Sequence, residues 1–354
     1  MGTMTYPETE QLGRIIADAQ HIVVLQADNP DGDSLASALA LESILDTMGK
    51  TVSLYCAIDM PTYLRYLPGW DRVQKELPQN FDASIIVDAS TLTLFDAFQN
   101  PNVRSKVAHR PVVVLDHHAI TDNPLPFDTL TINDGTRSST GELIYMLAKE
   151  LGWKIEIDAL EHVMSSILGD TQGLTNDLAG PSTYHIMAEL LEQGVSRTKL
   201  EELRREYGKM PAEIFRYKAA LIERTELACD GRLALVVVPQ TEINTYSPLY
   251  NPAPLIQNDM LQTKGVQLAV VLKHYDSGRI TGAIRASYGF PIAGALAEHF
   301  GGGGHQYASG FKLENGRPLN EVKSECITVA RELLDRLEKE ASTNETTQHS
   351  HTIH

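Results

Sequence analysis

Five aspartates and two adjacent histidines stand where apolar runs end. Asp31 and Asp33 lie in the turn Gln26-Ala27-Asp28-Asn29-Pro30-Asp31-Gly32-Asp33-Ser34, directly after Ile22-Val23-Val24-Leu25. Asp88 follows Ala83-Ser84-Ile85-Ile86-Val87, Asp116-His117-His118 follows Val112-Val113-Val114-Leu115, and Asp170 closes a helical stretch in Gly169-Asp170-Thr171. Carboxylates with imidazole, and no thiolate close in sequence, suit Mn²⁺, Mg²⁺ or a similar divalent ion. Several carboxylates sharing one site also suit two ions ~3.5–4 Å apart, which acidify a bound water and clamp the oxygens of a phosphoryl group. One aspartate after a strand is ordinarily a helix cap or a turn former. Five of them with two adjacent histidines are hard to justify by packing alone.

These side chains converge only if the elements between them are laid out in parallel. Residues 22–25, 51–58, 83–87 and 111–115 read as strands separated by helical patterns, which predicts a mostly parallel, doubly wound sheet. The continuous Val/Ile runs fit strands covered on both faces, and ligands of such sheets gather at the carboxyl ends of the strands. Helices are predicted over 8–20, from Ser34 to about Gly49 with one apolar face, over 160–168 and over 182–194. Ser138-Ser139-Thr140 reads as a hydroxyl-capped helix start. Residues 196–228 read as a solvated helical linker. A second α/β unit follows, with strands over 232–238, 267–272 and 280–286, a Pro-interrupted loop over 247–254, four glycines (301–304) before His305, and a helix over 320–339. The predicted organisation is therefore a domain at 8–195, the linker at 196–228, a smaller domain at 229–340 and a disordered tail at 341–354. The tail histidines His349, His351 and His354 belong to that unstructured end, and His162, His185 and His299 read as packing or surface residues.

Composition narrows the partners. The chain has 354 residues, 42% hydrophobic and 21% charged, which fits a two-domain soluble protein. No apolar run reaches the ~18–20 residues of a membrane helix, and no signal-peptide pattern opens the chain, so a cytoplasmic location is expected. Its 3 cysteines are far apart and unpaired in sequence, in keeping with a reducing compartment. A net charge of −16 disfavours a grip on long duplex nucleic acid, though a metal-filled site can still be locally positive.

The ordered set Asp31-Gly32-Asp33-Ser34, Val87-Asp88, Asp116-His117-His118 and Gly169-Asp170 resembles the DHH phosphoesterase family. Arg285 at a strand end, with Gly301-Gly302-Gly303-Gly304-His305, resembles the associated DHHA1 domain. The resemblance covers residues 10–335. It implies a two-lobed hydrolase of phosphoester or phosphoanhydride bonds that uses two Mn²⁺ ions, with Mg²⁺ as the alternative. Carried over by position, Asp31 would hold one ion and Asp33 the other, with Asp88 bridging and His117 and Asp170 completing the second site. His118 would be the general acid and Asp116 would orient the histidines. Arg285, His305 and the glycines Gly302, Gly303 and Gly304 would hold a phosphate or nucleotide, and Arg137 and Ser139 join the expected substrate-binding set.

There is one departure. The family carries a histidine four residues before the first motif aspartate, where this chain has Ala27. Water, Asp28 or Gln26 could fill the vacancy, or the first ion could be held weakly. The implied activity is hydrolysis of oligoribonucleotides of 2–5 nucleotides, related dinucleotides and 3′-phosphoadenosine 5′-phosphate. The alternatives are a cyclic-dinucleotide phosphodiesterase, or a nucleotide-binding protein with a degraded metal site. Relatives of this subgroup often dimerise, which makes a homodimer an open expectation.

Overall fold

The computed structural model describes residues 6–118, 124–247, 250–314 and 316–350, without side chains for 341–350. The chain divides into two compact units, Met1–Lys209 and Met210–His354.

The first unit runs α1 (Thr9–Asp18), β1 (His21–Leu25), α2 (Gly32–Thr47), β2 (Thr51–Tyr55), β3 (Ala83–Val87), α3 (Pro101–Ala108), β4 (Val112–Asp116), β5 (Leu130–Asn133), α4 (Thr140–Glu150), α5 (Ile157–Asp170), α6 (Pro181–Glu192) and α7 (Arg197–Tyr207). Its five strands pair in parallel in the order β2-β1-β3-β4-β5. The order reverses direction beside β1, so the loops after β1 and β3 open at the switch point where such sheets take their ligands. Alternate residues of β1 enter different cores. Ile22 and Val24 pack with α2, α4 and α5 residues, while Val23 and Leu25 pack with Phe95, Phe98 and Val107 on the other face.

The predicted one-sided α2 is corrected, because every residue from Asp33 to Leu41 is buried. Ser37, Ala38 and Ala40 are small enough for α4 and α5 to cover the side turned from the sheet. At the crossing, a Cβ on Gly141 would lie 2.2 Å from Ser166 Oγ. β5, half exposed and short, escaped the periodicity reading.

The second unit runs α8 (Ala212–Glu223), β6 (Glu226–Ala228), β7 (Leu233–Pro239), α9 (Gln240–Tyr246), α10 (Pro252–Gln262), β8 (Leu268–His274), β9 (Ile280–Ala286), α11 (Ala293–His299), β10 (Gly303–His305), β11 (Ala308–Leu313) and α12 (Leu319–Ser350). Its sheet is mixed, in the order β10-β11-β9-β8-β7-β6, with only β7 and β8 parallel. Leu233 and Leu235 face one core, and Ala234, Val236 and Val238 face the other.

Three sequence expectations change here. The stretch 196–228 is no solvated linker: Leu200 of α7 is buried in the first unit, while Ile214, Tyr217 and Leu221 of α8 are buried in the second. The Pro-rich stretch is not all loop, since α10 starts inside it. Asn251 caps that helix by accepting from Ala253 N, and Pro252 occupies a first-turn position that needs no N–H donor. The expected disordered tail instead continues α12 to Ser350, with 351–354 outside the described residues. Among the described residues, no helix is long and apolar enough to cross a membrane.

Candidate metal centre

Asp33 is the anchor of the site. It is fully buried, and its carboxylate accepts from Ser37 Oγ at 2.8 Å, Ser166 Oγ at 2.5 Å, Gly141 N at 3.3 Å and Thr140 N at 2.7 Å. The last two donors are free amides at the start of α4, where unpaired N–H groups favour an anion. Ser139 creates that start by accepting from Glu142 N at 3.1 Å, and its hydroxyl also pairs with Ser166 at 2.8 Å.

Asp88 follows β3 with a φ of 61°, in the left-handed region that Asp tolerates better than most residues. That turn aims its carboxylate back at Thr140 Oγ1, which donates at 3.1 Å. Burial, and then the charges of Asp33, Asp31 and Asp170, push its carboxyl well above the usual range.

His117 brings the acids together. Its Nδ1 lies 3.2 Å from the Arg137 carbonyl, so Nδ1–H donates there and Nε2 turns inward. Nε2 stands 2.9 Å from Asp170, 3.4 Å from Asp33 and 3.6 Å from Asp88, buried and without a well-formed hydrogen bond. Burial opposes protonation, but the Asp170 contact and the Asp33 charge prevail and push the imidazole up to about 9. A proton is thus the placeholder for positive charge among three carboxylates. Asp33, His117 and Asp170 form one group with metal-ligand spacing, and Asp88, His117 and His118 form another. The donor set, oxygen-rich with imidazole, fits a divalent cation.

His118 is set differently. Its Nδ1 pairs with Asp116 Oδ1 at 2.9 Å, and its backbone N–H donates to the same oxygen at 3.1 Å. Its side chain is 55% exposed, whereas Asp116 is buried. Burial would raise the Asp116 carboxyl, but the bonds from His118 and Ser90 hold it below its ordinary value, and the same pairing raises His118.

Other expected residues are placed elsewhere. Asp31 belongs to neither metal-type group and caps α2, accepting from Ser34 N at 3.0 Å; desolvation and the Asp33 and Asp170 charges raise its carboxyl. Arg137 and Ser139, expected to bind substrate, both have partners within the protein. Arg137 donates to Asp134 at 2.8 Å and to Ser182 at 3.2 Å and is mostly covered, while Ser139 is fully buried as the α4 cap. Both act by positioning His117 and Asp33. Ala27 sits in the apolar cluster with Tyr55, Ile86 and Phe95. Asp28 accepts from Ala97 N at 3.3 Å, and Gln26 is buried with both amide atoms unpaired. Thr140, Ser166 and Ser37 were missed. Only the helix start at 138–140 signalled any of them.

In the second unit, His305, Ala308 and Arg285 are cross-strand partners on β10, β11 and β9. Directly opposed residues share a face, so Arg285 and His305 flank the small Ala308 at roughly two strand spacings, about 10 Å. Both are exposed, and Arg285 makes no ion pair among the described residues. The glycines have a packing reason. A Cβ on Gly302 would lie 2.2 Å from Gly310 O, and Gly304, at φ 134°, would press on Ser309. Gly303, like Gly301, has open space at its Cβ position.

An acid-and-imidazole set at the switch point of a parallel sheet is the architecture of a divalent-cation phosphoesterase. The profile described as "DHH family, N-terminal domain" matches residues 21–167. The chain is 27% identical over 308 residues to the bifunctional oligoribonuclease and PAP phosphatase NrnA of Thermus thermophilus, covering 87% of this chain and 88% of that protein. It is 22% identical to the protein of the same name from Bacillus subtilis, covering 91% and 98%. Among solved structures, an exopolyphosphatase-related protein from Bacteroides fragilis superposes with a TM-score of 0.80 at 22% identity, covering 95% of this chain and 99% of that one. Over residues 21–167 the chain is similar to the N-terminal domain of the DHH family.

Proposed function

We propose that the protein hydrolyses short oligoribonucleotides of 2–5 nucleotides, related dinucleotides and 3′-phosphoadenosine 5′-phosphate. The observation that carries the reading is the His117 Nε2, buried and facing Asp33, Asp88 and Asp170 with no good hydrogen-bond partner. The near-full-length similarity to two proteins named for oligoribonuclease and PAP phosphatase activity supports the substrate class.

Asp33, Asp88, His117 and Asp170 would hold Mn²⁺, with Mg²⁺ as substitute, and Asp31, which feels the Asp33 and Asp170 charges, would help hold a second ion. When bound, such ions acidify a water and neutralise charge on a phosphoryl group. The chain's own groups do the rest. Arg137 O fixes the tautomer of His117, and the α4 amides with Ser37 and Ser166 hold Asp33 in one rotamer. His118, oriented by Asp116, keeps its Nε2 edge free to donate a proton to a leaving oxygen. Arg285 and His305 would take a phosphate of the substrate as a charge-assisted pair.

A turnover screen with Mn²⁺ against dinucleotides, cyclic dinucleotides, 3′-phosphoadenosine 5′-phosphate and longer RNA tests this. The expected result is release of mononucleotides from the short linear substrates, abolished in Asp88→Ala. Undiminished turnover in that variant would overturn the metal mechanism, and preference for cyclic dinucleotides would overturn the substrate class.

A further inference from the structure

Beside Arg285 and His305 lies an exposed tyrosine, in ring contact with a core-packed one, that neither the core nor the proposed chemistry explains. Tyr288 follows β9 by two residues and is 89% exposed, the most exposed large apolar side chain described. Its ring lies nearly parallel to Tyr307, at 21° with centroids 6.0 Å apart. Tyr307 occupies the two-residue turn between β10 and β11, and its ring centroid is 5.8 Å from that of His305. The sheet register forces this grouping. Ala286 N donates to Tyr307 O at 3.0 Å, which brings the end of β9 against the β10–β11 turn.

A lone exposed tyrosine needs no explanation. This one has a second ring behind it, an imidazole beyond that, and, three residues before it in sequence, a guanidinium with no ion pair among the described residues. A rigid ring with only two side-chain torsions offers its face at small entropic cost, and every nucleobase has a π-face to match it. A cation two strands from an imidazole, next to an open aromatic face, has the chemistry of a nucleotide: phosphate on one side, base on the other.

We propose that Tyr288, backed by Tyr307, is the platform on which one nucleobase of the substrate stacks, while Arg285 and His305 hold a phosphate of the same molecule. The inference rests on the nucleotide-hydrolase reading for its ligand class and adds a residue that sets affinity for base-bearing substrates. It makes the second unit tolerant of base identity, since stacking carries little hydrogen-bond readout.

Two measurements on the full-length protein separate the inference from that reading. The first is fluorescence of 2-aminopurine riboside 5′-monophosphate, which is quenched on stacking. Wild type and Tyr288→Phe quench the probe, and Tyr288→Ala does not. The second is KM for a diadenosine dinucleotide and for the same dinucleotide lacking one base. Stacking of about 1–2 kcal/mol predicts a coupling of roughly 5–30-fold between Tyr288→Ala and removal of that base. Equal quenching by wild type and Tyr288→Ala, with no coupling in KM, overturns the platform while wild-type turnover leaves the hydrolase standing. Absence of wild-type turnover overturns the hydrolase, and the quench alone then decides the platform. Because Tyr288 is exposed, its truncation leaves no cavity, so a lost quench in a folded Tyr288→Ala reports stacking.

Discussion

The two sheets carry their polar residues in opposite ways. In the first unit Asp33, Asp88 and Asp116 are buried near the carboxyl rim of a parallel sheet, and Asp33 alone accepts four hydrogen bonds from α2, α4 and α5. In the second unit Arg285 and His305 stand exposed near one edge of a mixed sheet, on a surface whose glycines serve strand packing. One arrangement stores unfavourable like charge that a cation relieves. The other keeps a cation and aromatic faces open to solvent, where binding a ligand needs little rearrangement. A buried centre therefore couples function to stability, and an open surface does not.

The sharpest break of this contrast is Asp88→Asn, which keeps a residue tolerant of the left-handed turn. Loss of a carboxylate from the proposed cation set is expected to lower turnover by about 10³-fold or more, since ligand charge is worth several kcal/mol in such sites. The same variant should raise the urea midpoint of the chelator-treated protein, because burial and the neighbouring charges, which push the Asp88 carboxyl well above its usual range, no longer oppose the native state. A lowered midpoint would deny the stored repulsion.

Arg285→Ala should do the reverse, raising KM by about 10–100-fold through loss of a charge-assisted contact and leaving thermal stability within a degree or so. Steady-state kinetics and calorimetry on one preparation check both halves.

The glycine run offers a finer test. Gly304→Ala, at φ 134° and against Ser309, should destabilise the second unit by about 1–3 kcal/mol. Gly303→Ala has open space and should change stability by under about 0.5 kcal/mol. Equal effects in denaturant titrations would mean that the hairpin does not pack as described.

The smallest expected effect is that of pH on the metal-free protein. The His117 pKa is raised to about 9, so its stabilising contribution is fully present below the ordinary imidazole value of ~6.5 and disappears as pH rises through about 9. The raised Asp88 carboxyl acts with the same sign, since the native state keeps a proton that the unfolded chain has released. Urea midpoints in chelator should fall from pH 6 to pH 9.5, and added Mn²⁺ should flatten the decline. A midpoint that rises over this range would contradict the geometry around Nε2.

Much of this was legible in the chain because local physics decides it. β1, β3 and β4 are continuous apolar runs, and their carboxyl ends were marked by Asp31, Asp88 and Asp116. The Ser139 cap was legible from Ser-Ser-Thr before an apolar helix. Its consequence was not: the amides it frees at Thr140 and Gly141 hold Asp33, more than a hundred residues away. Nor does sequence reveal that Arg137 donates to Asp134 and Ser182. The packing role of Gly302 and Gly304 was not legible, because strand-to-strand contact leaves no periodicity in three residues.

The sequence by itself determined which residue types could bind a cation and where strands and caps begin, since these follow from side-chain chemistry and short-range periodicity. Only the tertiary structure decided which donors meet. It turned His117 Nε2 toward Asp33, Asp88 and Asp170, left Asp31 capping α2, and set Ala27 in an apolar cluster. Those outcomes depend on backbone direction at Asp88, helix packing across Gly141 and sheet register at Arg285, which distant parts of the chain fix together.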